Sequence, residues 1–125
     1  MSNLYTLPFD QIGEGDFNRV GGKCASLGDM TAAGVAVPPG YAVTTDAYVA
    51  MLEDTNLHAE LENHLKGLNP EDFFALDEAA QAIQVRFRSH LLPAKVEQAI
   101  RAAYAAMGDN IPVAVRSSAT AEDLP

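Results

Sequence analysis

The sequence predicts an α+β fold, with a small β-sheet from the chain ends and a central block of about four to five helices. Short apolar runs bounded by glycine and proline lie near both ends of the chain. Between them, from about residue 45 to residue 107, hydrophobic residues recur every three or four positions, which is typical of amphipathic helices. A length of 125 residues is enough for one hydrophobic core, so residues 1–125 are expected to form a single domain.

The N-terminal elements are two predicted strands with a helix between them. The stretch YTLPFDQI is typical of a short opening strand, and VAVPPGYAV contains a second one after its Pro-Pro-Gly turn. Between these strands, RVGGKCASLGDM begins with paired glycines and continues as a helix-compatible run. Gly34 stands where a helix C-cap is expected.

Helix-start signals and apolar stripes predict the central helices. Thr44, Thr45 and Asp46 have N-cap chemistry, residues 69–72 place a proline and acids in a first helical turn, and Pro93 opens the last helix. Gly108 begins the sequence that ends that helix, and the IPVAV run after it is predicted to be a buried central strand. The apolar stripes comprise Tyr48, Met51 and Leu52; Leu57, Leu61, Leu65 and Leu68; Phe73, Leu76, Ala80, Ile83 and Phe87; and Val96, Ile100, Ala103 and Met107.

Composition narrows the classes of function. Acidic residues outnumber basic ones by 17 to 8, so we expect no general binding to nucleic acid or to an anionic membrane. Cys24 is the single cysteine, which excludes an intrachain disulfide and fits a reducing compartment. The N-terminus lacks a signal-peptide pattern, and no window approaches the roughly 18 apolar residues that span a bilayer. A cytoplasmic location is therefore expected.

The first candidate site is the GGK sequence. Gly21 and Gly22 let the backbone approach a ligand closely, and a helix that begins there offers N–H groups to an anion. Lys23 adds a positive charge at the same place. The sequence lacks the wider glycine spacing of a P-loop, so a tight turn with a solvated lysine is an alternative interpretation.

The second candidate site is the VAVRSSATAED sequence. Arg116 follows the predicted strand, at the sheet end where α/β folds commonly bind ligands. Its guanidinium donates hydrogen bonds in pairs and suits phosphate, and Ser117 and Ser118 add hydroxyl donors. In the alternative interpretation, Arg116 forms a structural ion pair with Glu122 or Asp123, and the serines cap a turn.

The histidines do not form a predicted metal site. His58 and His64 are six residues apart, whereas a helical metal site needs an i, i+4 pair. His90 is expected at a helix end. We therefore predict neither metal ligands nor catalytic histidines in this chain.

Three segments, RVGGKCASLGDM, VPPGYAVTTDAY and VAVRSSATAEDLP, carry a family resemblance. In order and separation they resemble the N-terminal ATP-binding domain of phosphoenolpyruvate synthases, pyruvate phosphate dikinases and rifampicin phosphotransferases, with phosphoenolpyruvate synthase the most similar. The resemblance covers essentially the whole chain and implies the first part of an ATP-grasp domain. It also implies that Lys23 and Arg116 contact the ATP phosphates, with Gly21, Gly22 and the two serines as weaker candidates.

The resemblance further implies an activity. Such an enzyme would convert ATP, pyruvate and water to phosphoenolpyruvate, AMP and phosphate through a phosphohistidine on another domain. The Mg²⁺ ligands and the acceptor site are expected outside residues 1–125, so this chain alone is expected to be inactive. Its exposed sheet edges favour self-association. Two alternatives stay open: a rifampicin phosphotransferase fragment, and a free-standing module that binds a nucleotide or a partner without catalysis.

Overall fold

The computed structural model describes residues 4–54 and 57–121. This part of the chain confirms the helix-rich α+β class, with a small sheet and five α-helices. No helix in it is long and apolar enough to cross a membrane. The elements are β1 (Thr6–Pro8), α1 (Phe17–Ala32), β2 (Tyr41–Val43), α2 (Thr45–Glu53), α3 (Leu57–Leu65), α4 (Phe73–Ser89) and α5 (Ala94–Met107), with single 3-10 turns at Phe9–Gln11 and Glu14–Asp16.

The chain divides into two compact units. The first comprises Met1–Val49 with Ala94–Pro125, and the second comprises Ala50–Pro93. In the first unit, β1 pairs with β2 in antiparallel orientation, and Leu7 lies opposite Ala42. The core beside this sheet consists of Leu7, Val20 and Ala42, with Ile12, Cys24 and Ala25 packed against it. The two strands at the start of the chain are therefore where the sequence predicted them.

The predicted C-terminal strand is wrong. Residues 111–115 form no regular secondary structure, and the sheet of the described residues contains β1 and β2 alone. Val113 and Val115 are 51% and 93% exposed, whereas a central strand would bury them. A strand needs a neighbour that completes its hydrogen bonds, and apolar composition by itself does not supply one. The sheet thus comes from the N-terminal third of the chain rather than from both ends.

The second unit is a pair of packed helices, α3 and α4. Leu57 and Leu61 of α3 and Ala79 of α4 are its buried residues. Residues 69–72 precede α4 instead of forming its first turn, because the Asp72 carboxylate accepts a hydrogen bond from the Ala75 N–H (3.1 Å) and acts as the N-cap. The predicted α4 stripe is wrong at Phe73, which is exposed at the helix start, and at Ala80, which is exposed while its neighbour Ala79 is buried.

Left-handed residues end the helices as predicted. Gly34 follows α1 with φ of 85°, and Gly108 follows α5 with φ of 138°. Both conformations favour glycine because it has no Cβ. A further glycine with positive φ, Gly21, lies inside α1, where the sequence did not predict an interruption.

Candidate functional site

The candidate site is built on the interruption of α1. Gly21 has φ of 79° and ψ of 173°, a conformation that is essentially restricted to glycine. Helical geometry resumes at Gly22, so a second helix N-terminus lies within the sequence GGKC. The first N–H groups of a helix have no partner within that helix. The N–H groups on both sides of Lys23 can therefore bond to partners outside the helix.

The segment of residues 116–119 contacts this second N-terminus. The Gly22 N–H donates to the Ala119 carbonyl (3.1 Å), and the Cys24 N–H donates to the Ser118 hydroxyl (3.3 Å). The same hydroxyl donates to the Val20 carbonyl (2.7 Å). These side-chain contacts join residues 94 and 98 positions apart in the chain. Ser118 thus caps the helix from a distant segment, as an N-cap serine does from the preceding residue.

The close approach of the two segments explains the first glycine. A Cβ at Gly21 would lie 2.6 Å from the Ala119 nitrogen and 2.6 Å from the Ser118 hydroxyl oxygen. Gly22 is less constrained, because a Cβ there would meet its nearest atoms at ordinary contact distances of 3.8 and 3.9 Å. Both the backbone conformation and the space available therefore require glycine at position 21.

The contact joins the segments of the two predicted cations at the interruption of α1. Lys23 lies between the two residues whose N–H groups are bonded to the 116–119 segment, and Arg116 begins that segment. Lys23, Arg116 and Ser117 are all exposed. Two positively charged residues that are far apart in sequence thus lie on segments in direct hydrogen-bond contact.

Arg19, the other cation of this part of the sequence, has a structural role. Its guanidinium forms ion pairs with Asp16 (3.4 Å) and Asp46 (3.3 Å). It also donates to the Leu4 carbonyl (3.3 Å). These contacts hold the start of α1 against neighbouring elements of the first unit.

The structure changes the role of some predicted groups. The N–H groups of Gly22 and Cys24, which the sequence suggested for an anion, are bonded within the protein. The Ser118 hydroxyl donates a hydrogen bond to the Val20 carbonyl, so its donor is not available to a ligand. The alternative in which Arg116 pairs with Glu122 or Asp123 lies outside the described residues.

Sequence reasoning missed Val20 and Ala119. Each contributes a backbone carbonyl, and a carbonyl is present at every residue whatever its side chain. No residue type could have revealed this contact. The left-handed Gly21 is the one feature with a sequence signal, because paired glycines often mark an unusual backbone conformation.

The histidines lie away from these segments in the chain, and two of them, His58 and His90, form contacts with acidic residues. His58 contacts Glu62 on the same helix (2.9 Å), and His90 contacts Asp54 (3.5 Å). Within residues 4–54 and 57–121, no group of three or more His, Cys, Asp or Glu side chains could hold a metal ion.

Comparison with known proteins identifies the family. Residues 17–125 match the model for the pyruvate phosphate dikinase AMP/ATP-binding domain, and this range includes both Lys23 and Arg116. The chain therefore belongs to this nucleotide-binding domain family. Relatives named phosphoenolpyruvate synthase are similar to it along nearly its whole length. They include those of Pseudomonas aeruginosa (42% identical over 97% of this chain), Deinococcus radiodurans (43% over 94%) and Escherichia coli K12 (37% over 99%).

These relatives are much longer than the present chain. Each of the three matches spans 16% of the relative's length. The similarity thus concerns an AMP/ATP-binding domain, and most of each relative has no counterpart in these 125 residues.

Proposed function

We propose that this chain is the N-terminal, phosphate-binding part of an ATP-dependent phosphotransferase of the phosphoenolpyruvate synthase type. The observation that carries the proposal is the contact between the α1 interruption and the 116–119 segment. It joins the two segments that carry the cations of the sequence motifs. The names of the relatives favour pyruvate as the acceptor over rifampicin.

Lys23 and Arg116 would bind the ATP phosphates together. Lysine acts as a compact point charge, whereas the planar guanidinium of arginine donates two parallel hydrogen bonds to phosphate oxygens. Two cations held on one protein surface stabilise the negative charge that spreads over the phosphoryl group during transfer. Gly22 and Ser117 would line the same site, and Gly21 and Ser118 would hold its two segments together.

Residues 1–125 would form the first subdomain of an ATP-grasp domain. The adenine-binding lobe, the phosphohistidine and the acceptor site would then lie in other parts of a longer protein. The Mg²⁺ ligands would lie in those other parts as well. The complete enzyme would convert ATP, pyruvate and water to phosphoenolpyruvate, AMP and phosphate, and the isolated chain would bind ATP weakly and be inactive.

Two further properties belong to the proposal. The isolated chain would self-associate through the apolar residues 111–115, because Val113 and Val115 are largely exposed. The protein would be cytoplasmic, which agrees with its single cysteine and the absence of any possible disulfide within the chain.

The experiment is to replace each cation in the full-length enzyme. Lys23→Ala and Arg116→Ala should each slow the ATP half-reaction by about 30- to 1000-fold, equivalent to about 2–4 kcal/mol of transition-state stabilisation. The unfolding temperature should not change, because both side chains are exposed. The matched control is Lys66→Ala, an exposed lysine of the second unit, whose rate should stay normal. Near-normal rates in both cation variants would contradict the proposal.

A further inference from the structure

We infer that Ser118 is a positioning residue, which sets the Arg116 segment in place against Lys23. The inference rests on the proposed function of the two cations. Ser118 itself would not touch ATP, because its hydroxyl is already bonded to the protein on both its donor and its acceptor side. Its effect on the reaction would pass through the cations on the two segments that it joins.

The hydroxyl of Ser118 bridges the interruption of α1. It donates to the carbonyl of Val20, the last residue before Gly21, and it accepts from the N–H of Cys24, within the helical turn after Gly21. One oxygen atom is therefore bonded to both halves of the helix. Gly21 interrupts the regular helical geometry between these halves. The hydroxyl of Ser118 therefore helps to hold the two halves of α1 in their relative orientation.

The backbone of Lys23 is held from both sides by the same segment. Gly22, the residue before it, donates to Ala119, and Cys24, the residue after it, donates to Ser118. Arg116 lies only two residues before Ser118 in the chain. A shift of Ser118 would consequently move one cation relative to the other.

Such a shift would lower the rate of the ATP half-reaction more than it would lower the stability of the fold. A displacement of about 1 Å in groups that orient a reacting substrate can cost on the order of a hundredfold in rate. Loss of the two hydrogen bonds of a half-buried serine costs little stability, since solvent can replace part of them. Ser118 should therefore affect the ATP half-reaction more than the fold.

The first test measures the bridge itself, by hydrogen exchange of the α1 amides in the full-length protein. Ser118→Ala should accelerate exchange at Cys24 by about tenfold or more, because that N–H loses its partner. The matched control is Ser26→Ala, an exposed serine on the same helix, which should leave exchange at Cys24 unchanged. Unchanged exchange in Ser118→Ala would overturn the inference, whatever the role of the cations.

The second test measures the positioning effect in the ATP half-reaction. Ser118→Ala should lower kcat by about ten- to a hundredfold, and Ser118→Thr, which keeps a hydroxyl, should recover most of the rate. In a Lys23→Ala background, Ser118→Ala should cost less than about twofold more, because the alignment of Arg116 against Lys23, which Ser118 sets, is already lost. A full additional loss in that background would mean that Ser118 acts independently of Lys23, and would overturn the inference.

The outcomes separate this inference from the proposed function. If Lys23→Ala and Arg116→Ala cripple the enzyme while Ser118→Ala has normal kcat, the positioning role is wrong and the phosphate site stands. If both cation variants are normal, the phosphate site is wrong, and no catalytic role remains for Ser118. Should Ser118→Ala unfold, the exchange and kcat of Ser118→Thr decide instead: fast exchange at Cys24 with a normal rate would overturn the inference.

Discussion

The α1 interruption and the α3–α4 helix pair use their polar groups in different ways. In the helix pair, ionisable side chains partner one another: Arg86 of α4 is bonded to Glu60 of α3, and beside the pair His90 lies 3.5 Å from Asp54. At the interruption, backbone groups and the Ser118 hydroxyl hold the two segments together. The first arrangement pairs the Arg86 guanidinium with a carboxylate, whereas the second joins two segments that each carry an exposed cation.

The two regions show that the role of an arginine depends on its partners in the fold as well as on its side chain. Arg86 and Arg116 have the same side chain, but Arg86 is held between Glu60 and His90 and is 28% exposed. Arg116 is exposed. The segment that it begins is attached to α1 by other residues, among them Ser118. We therefore expect a structural role for Arg86 and a ligand-binding role for Arg116.

The largest expected effect on stability concerns two glycines with positive φ, one in each unit. Gly21→Ala should lower the free energy of unfolding by about 3 kcal/mol or more, because the backbone becomes strained and a Cβ would meet Ser118 and Ala119. Gly67→Ala should cost only about 1 kcal/mol, since Gly67 (φ 73°) has open space where a Cβ would lie.

Chemical denaturation of both glycine variants makes this measurement, and each serves as the control for the other. Equal losses would show that the close approach of the 116–119 segment adds nothing to the backbone strain. In that case the contact on which the candidate site depends would be contradicted.

A smaller effect is expected at the Arg86–Glu60 ion pair. Arg86→Ala should lower the free energy of unfolding by about 1 kcal/mol or less, because Glu60 is 45% exposed and solvent screens the pair. Arg88→Ala, which removes an exposed arginine from the same helix, should change it by less than about 0.5 kcal/mol. Thermal unfolding of the two variants distinguishes them. An Arg88→Ala loss as large as that of Arg86→Ala would argue against a structural role for the ion pair.

The smallest effect is a pH dependence at Tyr41. Burial, followed by the nearby Tyr104, raises the pKa of the Tyr41 phenol above its ordinary value of 10.0. The folded state therefore retains a proton that the unfolded state loses above about pH 10, and stability should fall as the pH rises through that range. Tyr41→Phe should remove this part of the alkaline loss. A Tyr41→Phe variant with an unaltered pH profile of unfolding would contradict the raised pKa of Tyr41.

Much of the fold could be predicted from local sequence. Helical spacing and cap residues predicted α3, α4 and α5, because these signals act within one or two turns. Residues 111–115 show the limit, since their composition predicted a buried strand but a strand depends on a partner elsewhere in the chain. Phe73 shows another, because apolar spacing does not reveal that the end of a stripe lies at an exposed helix start.

The two cations of the candidate site could be predicted from the sequence, but the contact between their segments could not. Lys23 and Arg116 stood out because their residue types suit phosphate and because their segments resemble a known family. The capping of α1 by Ser118 and Ala119 could not be predicted, since it depends on a carbonyl and a hydroxyl about a hundred residues from the helix that they contact.

The most direct measurement is the rate of the ATP half-reaction in Arg116→Ala beside Arg86→Ala, in the full-length enzyme. We expect Arg116→Ala to lose about 30- to 1000-fold in rate with an unchanged unfolding temperature. Arg86→Ala should keep a normal rate while its unfolding temperature falls, because the variant loses the bond between the Arg86 guanidinium and Glu60. The opposite pattern, with a normal rate in Arg116→Ala and a large rate loss in a stable Arg86→Ala, would contradict the assignment of the phosphate site.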